Sequence, residues 1–325
     1  MATESSNTLL IGIFGLAAVA CGVMLAHRRV LFSIDPYADR HILRRGTGKP
    51  IIWIFYNDSD PNSRLWRDFG ARNGHAINLP FLNLCYETVL KHNNDKYTVE
   101  VIGGLTGAAE RLGLESLPGP LRNNKKMLVQ ADIDFIRSAI LAKFGGLWLT
   151  PGAICRKGFG ELPKDKNVFF GTDLDDTFSG PDGTNVPGMR AIWACKPDHP
   201  TFVGMEAAAF KRIEASAGGG QIRNDAKWDF MEHAAGNPDT LVRADAELGR
   251  KGRNGKRIEL DDLLAAGGEG VLPFALPNQT IYTPIPLDEV ERRRNLEWFA
   301  KMSEEQILGS DLAVSRLFKE ALGRN

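Results

Sequence analysis

The sequence predicts an α/β protein, a mostly parallel sheet flanked by helices, with a transmembrane helix at its amino end. Two observations carry the α/β expectation. From residue 50 short apolar, β-branched runs alternate with stretches of helical spacing, and 325 residues are enough to bury the core such layers need. A third, compositional break carries the membrane helix. "TLLIGIFGLAAVACGVMLA", Thr8 to Ala26, is an uncharged run long enough, as a helix, to cross about 30 Å of hydrocarbon.

That run stops abruptly at His27, Arg28 and Arg29, and the "MATESSN" before it has no Lys or Arg, which favours a membrane anchor over a cleaved signal peptide. Glu4 precedes the span, while Arg28, Arg29, Arg40, Arg44 and Arg45 follow it. The positive-inside rule then gives a single-pass membrane protein with its globular part on the cytoplasmic side. Glycosylation at Asn57-Asp58-Ser59 or Asn278-Gln279-Thr280 would reverse this to a lumenal, Golgi or ER, placement. Ala18 and Gly22, four apart, permit close helix approach, so a homo-oligomer stays open. The expected organisation is an anchor over 1–29, a basic stalk over 30–49 and one α/β domain over 50–325, with a helical extension from about 285.

Within that domain "IIWIFY" (51–56) reads as a buried central strand ending in the turn-prone "NDSDPNS". "FLNLCYETVLKHN" (81–93) has helical spacing, and "YTVEVIGG" (97–104) is a second strand. "ADIDFIRSAILAKF" (131–144) is the clearest helix. "LWLT" (147–150), "NVFFGTD" (167–173) and "RAIWAC" (190–195) follow as strands, with helices at 202–215 and 225–235. From 241 the charged, Gly-containing "RADAELGRKGRNGKRIELDD" predicts a mobile surface excursion, then Pro-rich irregular chain, then one or two amphipathic helices. In such a sheet a ligand binds outside the carboxyl ends of the strands, at Tyr56–Asp58, Thr150–Gly152 and Asp173–Asp176.

Bulk properties exclude more than they assign. Lys+Arg and Asp+Glu are both 40, so no global field draws the chain to nucleic acid, and none is expected as a partner. Cys21, Cys85, Cys155 and Cys195 show no CxxC or Cys/His ligand spacing and read as buried free thiols. His199 before Pro200 reads as a satisfied turn residue, and Trp148 and Trp193 as core.

The helix at 131–144 carries the chemistry. Ile133, Ile136, Ile140 and Phe144 share one face; Asp134 and Arg137, three apart, can meet beside it, and Asp132 is available to cap the amino end. By spacing alone this is equally an ordinary ion pair. Asp134, Arg137, Leu141, Gly145, Gly146 and Trp148 together resemble the Asp-x-x-Arg, Leu-x-x-x-Gly-Gly, aromatic-rich strand of the glycosyltransferases with a DxD sugar-binding motif, which include initiating α-mannosyltransferase relatives and capsular polysaccharide synthesis proteins. The resemblance spans about 50–215 and implies a GT-A-type, Rossmann-like fold and a nucleotide-sugar donor. It also implies hexosyl transfer with retention to a glycan, polysaccharide or lipid-linked acceptor. Tyr56 would stack on the base with Asn57 beside it, Asp134 and Arg137 would hold the donor, and Gly145-Gly146 would let the strand approach it.

The departure is at the motif itself. Where the family's two carboxylates hold a divalent cation, Mn or Mg, on the diphosphate, this chain has Thr150-Pro151-Gly152. Three readings stay open. The chain is a silent relative that binds glycans or a partner; it works without metal through cations such as Arg137, Arg156 or Lys157; or Asp173, Asp175 and Asp176 supply a substitute metal or sugar site. The expectation is a membrane-anchored glycosyltransferase.

Overall fold

A computed structural model describes residues 48–57, 79–122, 128–171, 187–216, 226–243, 248–267 and 272–324. Six strands form the main sheet: β1 (Ile51–Tyr56), β2 (Thr98–Gly103), β3 (Gly146–Leu149), β5 (Asn167–Phe170), β6 (Ala191–Ala194) and β7 (Thr240–Arg243). Their order is β2-β1-β3-β6-β5-β7. The sheet is mixed rather than simply parallel: β1 runs parallel to β2 and β3, β6 runs against both β3 and β5, and β7 is parallel to β5.

Side-chain alternation fixes the register. Trp53, Phe55, Trp148, Phe169, Ile192 and Ala194 point into one core, while Ile52, Ile54, Leu147, Leu149, Val168, Phe170 and Trp193 point into another. The first core is closed by α2 (Gly104–Leu112), α3 (Gln130–Phe144), α4 (Pro200–Ser216) and α5 (Ala226–His233). Over the second face lies a small antiparallel sheet of β4 (Ala153–Cys155) and β8 (Tyr282–Pro284). A third core joins α1 (Pro80–Asn93) to the carboxyl-terminal helices α6 (Leu260–Leu264), α7 (Leu287–Arg292), α8 (Glu297–Lys301), α9 (Glu304–Gly309) and α10 (Ala313–Leu322).

Several expectations are corrected. Among the described residues no helix is long and apolar enough to cross a membrane. The longest, α4, has 17 residues and carries Glu206, Lys211, Arg212 and Glu214. The fold as described is therefore a helix-flanked mixed sheet without a transmembrane or signal-anchor helix. The membrane-anchored function, the membrane as partner and the single-pass, cytoplasmic-side location are withdrawn with it. The run at 8–26 on which they rested lies outside the described residues, as does the stalk before Gly48.

The stretch after 241 is not a loose excursion where it is described. Leu248 is buried and bridges to Tyr282, Gly249 N–H donates to the Tyr282 carbonyl (2.7 Å), and Lys251 pairs with Arg257 across a tight turn. The chain's end is four short helices rather than one or two. Each has an apolar side in the third core, and Ser303 starts α9 with a reciprocal capping box to Gln306.

Candidate functional site

The carboxyl edge of the main sheet gathers Tyr56 and Asn57 after β1, Thr150 after β3 and Gly171 after β5; Arg190, entering the reversed β6, meets them there. Asp173, Asp175 and Asp176 lie outside the described residues. Tyr56 and Asn57 are half-buried, and Tyr56 packs against the third core.

Helix α3 brings Asp134 and Arg137 to this edge. Arg137 is nine residues before Gly146, about 13.5 Å of helix rise, and Thr150 is four residues after it, about 13 Å of strand. α3 shares a core with Trp148 of β3 and Phe55 of β1, so it lies on that face of the sheet, and these lengths carry Arg137 about as far from the α3–β3 turn as Thr150. Both are buried, at 3% exposure each. The Arg137 Nη2 is 2.8 Å from Asp134 Oδ1, which also accepts from Gln130 Nε2 at 3.0 Å. The other carboxylate oxygen, Asp134 Oδ2, and Arg137 Nε are buried with no hydrogen-bond partner. A buried charged pair with unused bonding capacity on both members is costly for the fold, and is the arrangement expected of groups that face a polar ligand. Asp132 does cap the amino end, from the first turn of the helix: its Oδ2 accepts the Val129 N–H at 3.0 Å.

Gly145 and Gly146 are not brought to this edge. They turn α3 into β3 at the opposite end of the sheet, with φ of 64° and 92°. A Cβ on Gly146 would stand 2.5 Å from the Ile51 carbonyl oxygen, and one on Gly145 3.1 Å from Lys196 backbone. Close packing of β3 against β1 and of the turn against Lys196-Pro197 explains both glycines without a ligand.

At 150–152, where the resemblance expects the two carboxylates, the backbone is closely packed. Gly152 O accepts the Ile285 N–H at 2.6 Å, and a Cβ there would lie 2.4 Å from the Ile285 carbonyl oxygen. No carboxylate fits at 152 without moving the chain after β8. Thr150 N–H donates to Arg190 O at 2.9 Å, and Thr150 Oγ1 is buried with no hydrogen-bond partner. These residues do not supply the donor set of a DxD metal site. Among the described residues no group of three His, Cys, Asp or Glu side chains converges.

Of the expected alternative cations, Arg156 pairs with Glu320 (3.3 Å) and Lys157 Nζ donates to the Asn278 carbonyl, so both are committed to the chain's carboxyl-terminal part. Arg190 was not anticipated. It enters the site through its pairing with Thr150, and the sequence shows only an arginine before an apolar run. The Tyr282 phenol, fully buried, is pushed up by burial, against which the charges of Arg190 and Arg250 act. Phenol Oη of Tyr282 and Oγ1 of Thr283 are likewise buried with no hydrogen-bond partner.

His199 is core-bound: its ring lies 3.0 Å from Asn167 Nδ2, and burial followed by the Lys196 charge holds its pKa below the ordinary value. Trp148 and Trp193 are buried in the two faces of the sheet. A separate open cavity of about 610 Å3 lies among Trp298, Lys301, Met302, Gln306, Gly309 and Ser310, and none of the expected site residues lines it.

No protein-family model and no curated protein matches the chain. Among solved structures it is similar to the PaToxG glycosyltransferase, at 13% identity and TM-score 0.37 over 58% of this chain and 70% of that one. It is also similar to a transferase bearing two Cys-to-Ser substitutions, at 14% identity and TM-score 0.29 over 59% of this chain and 91% of that one. The similarity is distant and to glycosyltransferase-fold proteins as a class. It carries neither a substrate nor a residue's role.

Proposed function

We propose that the chain is a glycosyltransferase that takes a nucleotide-sugar donor at the carboxyl edge of β1 and β3. One observation supports this: the Asp134–Arg137 pair is buried with Oδ2 and Nε unbonded, leaving one acceptor and one donor that sugar hydroxyls would satisfy. Tyr56 and Asn57, at the end of β1, would take the base, and Asp134 with Arg137 the sugar.

The test is a thermal-shift and donor-hydrolysis panel of nucleotide sugars on the full chain, with manganese, with magnesium and with chelator. Selective stabilisation by one donor, lost in Asp134→Asn and Arg137→Lys variants that still melt cooperatively, supports the reading. Full turnover in both variants sinks it.

A second reading is favoured by Gly152, whose position is occupied by the Ile285 backbone: a catalytically silent relative that binds a glycan or a partner. It predicts that no nucleotide sugar shifts the melting temperature, with or without metal.

A further inference from the structure

We propose that Arg190 is the cation that receives the donor's diphosphate, standing opposite the position where a DxD protein carries its first metal ligand; this rests on the nucleotide-sugar reading of the same edge. Leu149 pairs with Ala191 in the antiparallel β3–β6 ladder, so the next pair outward is Thr150 with Arg190, and the Thr150 N–H to Arg190 O bond of 2.9 Å confirms that the pairing continues. Residues directly opposite in an antiparallel pair carry their side chains on one face, with Cβ atoms about 5 Å apart. A guanidinium thus starts from within side-chain reach of the position the family gives to a carboxylate.

Two further observations fit an anion there. Arg190 is half-buried and makes no ion pair among the described residues, unlike Arg156, which has a carboxylate partner. Beside it Thr150 Oγ1 is buried with no hydrogen-bond partner, a hydroxyl ready to donate to a phosphoryl oxygen. Two carboxylates and a dication carry no net charge; replacing them by an arginine leaves an edge that attracts the diphosphate directly, and a guanidinium fork matches its oxygens in geometry.

The backbone just before Arg190 is held away from its ordinary shape, since Met189 has φ of 50°, a left-handed conformation uncommon for a residue with a side chain. The cost is carried where the chain turns into β6 to set Arg190 against Thr150.

The experiment is calorimetric titration of the full chain with inorganic pyrophosphate, UDP and GDP in the presence of EDTA, for the parent and for Arg190→Gln and Arg190→Lys. The expected result is chelator-resistant binding by the parent, at least tenfold weaker binding to Arg190→Gln, partial rescue in Arg190→Lys, and unchanged melting temperatures without ligand. Equal affinity in Arg190→Gln overturns the proposal while leaving the donor reading intact. So does binding that appears only with manganese, which would instead assign the diphosphate to Asp173, Asp175 or Asp176. Absence of binding to all three probes overturns the donor reading and this proposal together.

Discussion

A side chain at 152 should not be tolerated, and the structure sets the size of the penalty. In Gly152→Ala the new Cβ stands 2.4 Å from the Ile285 oxygen, against about 3.5 Å for an unstrained contact. The chain after β8 must therefore withdraw by about 1 Å. It is not free to do so, because Ile285 is buried at 3% in the third core and its N–H is bonded to Gly152 O at 2.6 Å. Weakening that bond costs about 1 kcal/mol, and forcing the core apart adds about 1–3 kcal/mol. Their sum, about 2–4 kcal/mol, corresponds to a fall in melting temperature of roughly 4–8 °C for a domain of this size. Thr150→Asp, at a position that already has a Cβ and stands opposite Arg190 in the ladder, should cost less than Gly152→Ala. Thermal and urea melts of both variants test this, together with a manganese titration of the Thr150→Asp/Gly152→Asp double variant, which is expected to gain no metal-dependent stabilisation. If Gly152→Ala melts within about 1 °C of the parent, or if manganese stabilises the double variant, Ile285 does not block the site as argued.

Gly146→Ala should lower stability by several kcal/mol while leaving nucleotide-diphosphate affinity per folded molecule unchanged, because its Cβ would strike the Ile51 carbonyl at 2.5 Å with φ at 92°; a selective loss of affinity would return it to the donor site. Asp134→Ala should cost about 3–5 kcal/mol by leaving the Arg137 charge buried and unpaired, whereas a joint Asp134→Leu/Arg137→Met variant should cost less than that single change; additive urea-melt free energies would refute the pairing. His199 has a folded pKa below its unfolded one, so between the two values only the unfolded chain gains a proton. Stability should fall as pH drops through the ordinary histidine range, and His199→Gln should flatten that slope in urea melts. Burial pushes the Cys155 thiol up to about 12 and the Cys85 thiol well up, so mass-mapped alkylation of the native chain at pH 8 should spare both until it unfolds.

What the sequence made legible was local. The strand at 51–56 and the helix at 131–144 were readable because each is a run of one periodicity, and the Asp134–Arg137 contact because i,i+3 spacing on a helix brings side chains together. What it hid was pairing at a distance. β8 has three residues and ends in proline, so "YTP" carries no strand signal; its partner β4 lies about 130 residues earlier, and Leu248 reaches it from a stretch whose charges suggested solvent. The same gap explains Gly145 and Gly146. A glycine pair announces that something comes close, and only the β1–β3 register shows that the close neighbour is the Ile51 backbone.

The two departures from the DxD pattern are physically different, and the difference bears on whether the chain is silent. Gly152 is packed against Ile285, whose backbone leaves no room for a side chain there. Thr150 differs: it keeps a polar atom buried and unbonded, opposite an arginine without an ion pair among the described residues. Asp134 and Arg137 are likewise charged and incompletely bonded at 3% exposure, where apolar residues of similar volume would serve stability at least as well. A chain that needed this edge only as a scaffold would gain by filling it, as it has at 152. Unfilled polarity at 134, 137, 150 and 190, beside one position that has been filled, is what an edge would show if it had exchanged a cation-bridged diphosphate for an arginine-bound one.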